Sequence, residues 1–316
     1  VLVLIEIIVK ALAYSSCIAL GASSITIIYM ATRTFNFAHA SFIAWGFYVV
    51  FSLYSIFGGS PYLYLAFAAL FSGMLGVLIY LTVNRRLLRA RSSEVVLMMS
   101  TLGLDLILFA FINIYADFLT AVYGLHARYF VLELKDLTID IGMFSIRAVG
   151  VIAPVIMVLI VIALNIFLTK TKFGIAMRAS IENPNLAGMI GINPELVYMS
   201  SWLIGGLLAG LSGGLLSMVI TGYPAVGMTT IVSFFAGSIV GGLYSIFGSL
   251  LGGLLIGLSE YMGIYFLSMA FGGEILAYRP IIPLIIMAIT LLIYPKGLAG
   301  ISLYRLKTLI WRGGGK

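Results

Sequence analysis

Asp105 and Glu260 each lie inside a long apolar run of this 316-residue chain, and Asn36-Phe37-Ala38-His39 breaks another such run. An acid at the centre of a membrane-spanning helix costs roughly 2.5–3.5 kcal/mol on insertion scales, so such a group faces protein or water rather than lipid. Asp105 can pair with Arg147 or His39, or bond to neighbouring backbone. Glu260 either anchors two helices through hydrogen bonds or faces a solute path. Other chemistry is narrow. One cysteine and two histidines cannot build a zinc site. No Gly-x-x-x-x-Gly-Lys-Ser/Thr run exists, so the chain holds no nucleotide through a phosphate loop. No cofactor, no metal site and no catalytic residue set are expected. The chain is then no enzyme by itself, and any ATP-driven work falls to another subunit.

The elements that must position these groups are long and apolar. Hydrophobic residues make up 62% of the chain and charged residues 9%. So few charges cannot cover that much apolar surface in water, and lipid must be the solvent. The net charge of +7 is scattered between apolar runs, which argues against a nucleic-acid partner. The single cysteine, Cys17, excludes an internal disulfide and reads as a small packing residue. Spans are expected at about 11–31, 42–57, 62–83, 95–116, 148–168, 197–221, 249–270 and 280–294, with a shorter segment at 228–242. At about 1.5 Å per residue that segment is barely long enough to cross, and a discontinuous or re-entrant piece is the alternative. The expected fold is all-α, a polytopic integral membrane helix bundle of about eight to ten spans with about nine as the best count. One membrane domain covers 1–300, and 301–316 is expected to form an amphipathic tail on the inner surface. Arg85, Arg86, Arg89 and Arg91 mark a cytoplasmic loop, and alternation puts the carboxyl terminus on the same side. Gly206, Gly210 and Gly214, four residues apart, form a ridge that another helix can approach closely.

The stretch 170–196 is a polar interruption that looks folded. Lys170, Lys172 and Arg178 place it with the 85–91 loop. Asn183-Pro184 reads as an N-cap with proline at the first helical position, and Gly191 closes that short helix in the left-handed conformation. Asn193-Pro194-Glu195 repeats the start signal. Phe173, Ala176, Met177 and Ser180 share one face of the first short helix, and Leu186, Met189 and Ile190 are apolar anchors on the second. Arg178 and Glu182 lie four apart and can pair. A partly apolar helical pair on the cytoplasmic side calls for a protein partner.

Gly174-x-Ala176-x-Arg178-Ala179, then Glu182-Asn183, then Ala187-x-Met189-x-Gly191-Ile192-Asn193 closely resembles the coupling loop of branched-chain amino acid permeases in ABC importers. Asn36-Phe37-Ala38-His39 resembles that family's Asn-Phe-Ala-His-Gly motif, although Ala40 and Ser41 stand where the family continues with glycine and an acid. Gly241-Gly242-x-x-Ser245-x-x-Gly248-x-x-x-Gly252-Gly253 is similar to another signature, with Phe247 where a proline is common. The run from Gly253 to Glu260 and the ending Pro295-Lys296-Gly297-Leu298 also resemble the family. The resemblance implies a permease subunit that moves branched-chain amino acids inward by alternating access, driven by ATP hydrolysis on a partner chain. It implies an ATPase-coupling surface of Phe173, Gly174, Ala176, Arg178, Ala179, Glu182, Asn183, Gly191 and Asn193, and a translocation path that draws on Asn36, Phe37, His39, Asp105 and Glu260. The implied partners are two ATP-binding subunits, a second homologous permease, an extracytoplasmic substrate-binding protein, an amino acid substrate and membrane lipid. The implied location is the plasma membrane of a prokaryote. Permeases for urea, short amides, sugars or nucleosides look similar. An ion-coupled secondary transporter, built on intramembrane ionisable groups, is the reading from a different class.

Overall fold

The computed structural model describes residues 2–141 and 144–300, so the tail expected at 301–316 lies outside the described residues. Helix α1 (Leu2–Thr32) forms the central post, with Tyr14, Cys17, Ile18 and Leu20 fully buried. It begins well before residue 11 because Glu6 and Lys10 pair across one helical turn, at 3.2 Å, and extend the helix beyond its apolar part. Ser15, Ser16, Ser23 and Ser24 are buried along it. Each returns its hydroxyl to a carbonyl three or four residues back, as Ser16 does to Leu12 at 2.7 Å, so no donor is stranded away from water.

Helix α2 (His39–Phe57) follows the polar break, and a short turn at Pro61–Tyr64 leads into α3 (Leu65–Ile79). That helix runs on through a π-helical turn, Tyr80–Asn84, into α4 (Arg85–Arg89). Helix α5 (Glu94–Tyr123) starts on a Ser93 cap and stops at Gly124, whose φ of 66° is left-handed. The helix therefore runs past the expected end of its span near 116, and the polar connection begins at Gly124. That connection holds an unexpected antiparallel hairpin, β1 (Thr138–Ile141) with β2 (Phe144–Arg147), in which Thr138 faces Arg147. Buried Asp136 ties this connection down by accepting the Tyr62 hydroxyl at 2.6 Å and the Val149 N–H at 2.9 Å. The chain continues through α6 (Val149–Lys170), α7 (Lys172–Glu182), α8 (Pro184–Met189), α9 (Pro194–Leu216), α10 (Val226–Gly241), α11 (Ile246–Phe271) and α12 (Ile281–Ile293).

Small residues set the packing. A methyl group on Gly253 of α11 would lie 2.5 Å from the Ala19 Cα of α1, and one on Gly206 of α9 would lie 2.5 Å from the Ser72 carbonyl of α3. Backbones this close gain dispersion contacts that longer side chains would prevent. The glycine ridge of α9 thus packs inside the subunit. In contrast, α5, α6 and α12 turn Leu106, Phe111, Leu159, Ile162 and Leu292 outward, the surface that suits lipid. Among the described residues, eight helices are long and apolar enough to cross a membrane, and α10 is a shorter apolar helix. It is one unbroken helix of 16 residues, not the discontinuous piece allowed for above. The fold is a polytopic helical membrane bundle.

Helices α7 and α8, the end of α1, α4 and the 242–245 turn gather at one end of the bundle, here the loop end. The start of α1, the 124–148 connection and the link between α11 and α12 form the far end. Arg33, Arg85, Arg86, Arg89, Arg91, Lys170, Lys172, Arg178 and Lys296 fall at the loop end, against Glu94, Glu182 and Glu195.

Candidate functional site

The loop at 170–196 is built from caps outward. Thr171 Oγ1 accepts the Gly174 N–H at 3.0 Å and starts α7. Asn183 Oδ1 accepts the Leu186 N–H at 3.1 Å and starts α8, with Pro184 in its first turn. Gly191 then adopts φ 87°, and Asn193 Oδ1 accepts the Glu195 N–H at 3.0 Å to start α9. Gly174 sits in the elbow between α6 and α7, where a Cβ would run into the Phe167 carbonyl. Met177 and Ser180 are buried beside Gly174, whereas Ala176 and Ala179 are half-buried. Phe173 is exposed, with its ring 6.2 Å from that of Phe167. Arg178 and Glu182 are both exposed and form no ion pair; an exposed pair at this spacing gains only about 0.3–0.5 kcal/mol, little against the entropy of two long side chains. Arg178 instead borders a small cavity of about 180 Å³ with Met30, Tyr244 and Ser245. Arg33 Nη2 donates to the Ile181 carbonyl at 3.2 Å and pins α7 to the end of α1.

The outer tip of this pair is apolar and uncovered. Leu186 is 56% exposed, Met189 82% and Ile190 71%, while Ala187 is buried. Three caps and an elbow hold this tip, and its apolar side chains point away from its own protein.

The residues expected on a path divide into two places. Asn36, Phe37, His39 and Asp105 lie at a largely buried junction of α1, α2 and α5. Asn36 Oδ1 accepts the Ala38 N–H at 3.1 Å, and the Phe37 N–H donates to Thr101 Oγ1 at 3.1 Å. His39 is fully buried, bonded through Nε2 to the Ser24 hydroxyl. Asp105 pairs with neither Arg147 nor His39. It accepts the Ser41 N–H at 3.0 Å and the Ser41 hydroxyl, and Arg147 donates to the Asp136 carbonyl instead. The serine at 41 is thus the partner of the buried acid. The Ser41–Asp105 bonds hold α2 and α5 together at this junction.

Glu260 is elsewhere. Its Oε1 accepts the Tyr14 hydroxyl at 2.9 Å and Arg279 Nε at 2.6 Å, so it joins α1, α11 and the start of α12. It also lines a cavity of about 470 Å³ at the far end, with Glu133, Thr221, Tyr223, Thr230 and Arg279 among its walls. Sequence reasoning missed Tyr14 and Arg279 here. It also missed the clamp at the loop end, where Glu195 takes Arg85 Nε and Nη2 at 3.0 and 2.8 Å and Arg89 Nε at 2.6 Å. The only trace of either cluster in the sequence is that a charge in so apolar a chain needs a partner.

A family model described as the permease component of the branched-chain amino acid transport system matches residues 7–293. The chain belongs to this permease family. It is 40% identical over 300 residues to the probable branched-chain amino acid transport permease protein LivH of Methanocaldococcus jannaschii, covering 95% of this chain and 94% of that one. To the high-affinity branched-chain amino acid transport system permease protein LivH of Escherichia coli K12 it is 29% identical over 159 residues, 49% of either chain. A nucleoside ABC transporter permease protein, NupC of Lactococcus lactis, is 34% identical over 95 residues, 29% of each chain. No solved structure matches. The permease is therefore a multi-pass membrane protein and a transporter subunit rather than a catalytic enzyme. Permeases of this ABC family work with ATPase and substrate-binding components.

Proposed function

We propose that this permease carries branched-chain amino acids into the cytoplasm by alternating access, driven by ATP hydrolysis on two partner subunits. A second homologous permease completes the membrane part, and an extracytoplasmic binding protein delivers the solute. The loop end faces the cytoplasm, as its cations favour, and the carboxyl terminus lies on that side in the plasma membrane of a prokaryote. In this reading α7 and α8 dock on an ATPase, with Phe173, Gly174, Ala176, Arg178, Ala179, Glu182, Asn183, Gly191 and Asn193 shaping or presenting the docking surface. The observation that carries the reading is the uncovered tip of Leu186, Met189 and Ile190 on a capped and braced helical pair. Movement of the tip passes to the spans through the α6–α7 elbow and the Arg33–Ile181 bond. The buried junction of Asn36, Phe37, His39 and Asp105 sits beside the path and repacks as the spans tilt.

The test is the variant Met189→Asp/Ile190→Asp in the full complex. Both side chains are exposed, so the permease should insert and keep its thermal stability. The ATPase should fall away on purification, or hydrolyse ATP without responding to loaded binding protein. Normal co-purification with normal stimulated hydrolysis would refute the docking surface. The partial match to a nucleoside permease supports a second reading, in which the solute is a nucleoside. Stimulation of hydrolysis by binding protein loaded with leucine or with uridine separates the two.

A further inference from the structure

We propose that the far-end cavity is a subsite for the zwitterionic head group of an α-amino acid, with Glu260 and Arg279 as its two charge partners. The proposal rests on the amino acid reading above and goes further by assigning the residues that recognise the solute. The cavity, of about 470 Å³, is of the size that small-molecule sites occupy, roughly 300–1,000 Å³. Glu260 is only 2% exposed, yet its Oε2 finds no hydrogen-bond partner among the described residues, and neither does buried Arg279 Nη2. A buried charged group with unmet hydrogen-bonding capacity is costly, and the two orphans are of opposite kind, one acceptor and one donor. They belong to side chains already joined at 2.6 Å. An ammonium and a carboxylate on one carbon supply both complements, a donor for Oε2 and an acceptor for Nη2.

The charges on the wall narrow the ligand further. The other acid there, Glu133, is held by Lys10 at 2.8 Å, a lysine outside the lining that Glu6 also bonds at 3.2 Å. Glu260 and Arg279 are the charge partners with unmet hydrogen-bonding atoms. A zwitterion adds no net charge to that pair, whereas a solute with a single charge would leave one uncompensated. The zwitterion enters by ion-pair exchange: its carboxylate takes the Arg279 guanidinium while its ammonium takes the Glu260 carboxylate, so one ion pair becomes two. Tyr14 holds Glu260 from behind at 2.9 Å, and the Arg279 guanidinium lies over the Tyr14 ring, 4.4 Å from its centre, which keeps both partners in place during the exchange. Val219 and Leu276 supply apolar wall for the solute's side chain, and Leu276 and Thr229 are exposed at the far-end mouth.

The experiment is equilibrium binding of radiolabelled L-leucine to the purified, nucleotide-free complex, with leucinamide and 4-methylpentanoate as competitors. Leucinamide lacks the carboxylate and 4-methylpentanoate lacks the ammonium. The wild type should prefer leucine to each by about tenfold or more, the worth of one charge-assisted hydrogen bond. Glu260→Gln should abolish the preference over 4-methylpentanoate and keep that over leucinamide; Arg279→Gln should do the reverse. If Arg279→Gln does not assemble, the charge-free pair Glu260→Gln/Arg279→Met should lose both preferences together. Unchanged preferences in assembled variants, or equal weakening of all three ligands, would overturn the subsite. If leucine-loaded binding protein still stimulates hydrolysis in those cases, the subsite alone is wrong. If only uridine-loaded protein stimulates the wild type, the amino acid reading has failed and the subsite with it.

Discussion

Two arginine–carboxylate clusters sit at opposite ends of this permease, built from the same groups and doing different work. At the loop end, Glu195 bridges Arg85 and Arg89, with all three side chains a third or more open to solvent or nearly so. At the far end, the Glu260 side chain is 3% exposed and bonds Arg279 and Tyr14. Water reaches every member of the first cluster, whereas it meets the second only through the cavity that Glu260 and Arg279 line. Exposed pairs contribute little because solvent competes for both partners. A buried pair with unmet atoms costs more in desolvation than a well-packed apolar substitute would, so stability alone gives no reason to keep it. The difference teaches that the loop-end cluster is a brace between α4 and α9, and the far-end cluster a site.

The sharpest way to break this comparison is to remove one buried partner and then both. Arg279→Met leaves Glu260 buried without its cation and should cost about 3–5 kcal/mol, read as a large drop in the thermal unfolding midpoint of the purified permease. The double variant Glu260→Gln/Arg279→Met should recover most of that loss, because a neutral amide still accepts the Tyr14 hydroxyl. A double variant as unstable as the single one would mean that the charges themselves hold α1 to α11.

A smaller effect is expected at the loop end, where shape matters more than charge. In Gly174→Ala the new methyl group meets the Phe167 carbonyl, and the elbow between α6 and α7 must open. Overpacking of this kind costs about 1–3 kcal/mol, and it should weaken co-purification of the ATPase by displacing α8. Gly188→Ala is the control on the same loop, since a methyl group there meets nothing within 4 Å. It should be neutral or slightly stabilising, as alanine is the better helix former. Equal effects from the two variants would show that the elbow is loose.

The sequence makes local devices legible and long-range ones not. Asn183, Gly191 and Asn193 announce the caps and turn of the 170–196 loop because capping is decided by a few neighbouring residues. The spans follow from hydropathy, and Gly206 and Gly210 mark a close approach because a missing side chain is visible in the sequence. What the ridge packs against, α3, is not visible. Partners far apart along the chain escape for the same reason: nothing at Tyr14 or Arg279 says that both converge on Glu260. The missing Arg178–Glu182 pair shows the opposite failure, where spacing permits a contact that two exposed side chains do not make. The start of α5 near 95 is legible, but its far end is not, because a membrane helix does not stop where hydropathy falls; α5 runs on until Gly124 ends it.

The smallest expected effect closes the comparison. Glu195→Gln removes the carboxylate from a cluster that water already reaches, so the unfolding midpoint should drop only slightly. What loss there is should vanish in strong salt. At about 1 M ionic strength the screening length falls to roughly 3 Å, shorter than an exposed pair needs to be felt beyond contact. Wild type and Glu195→Gln should then unfold together. Salt should change the deficit of Arg279→Met less, because the Glu260 side chain is 3% exposed where that of Glu195 is 32%. A Glu195→Gln deficit that survives strong salt would mean that another protein chain covers the loop-end cluster in the purified complex. The contrast between brace and site would then have to be drawn on the assembled transporter, with Glu195 counted among the groups that meet a partner.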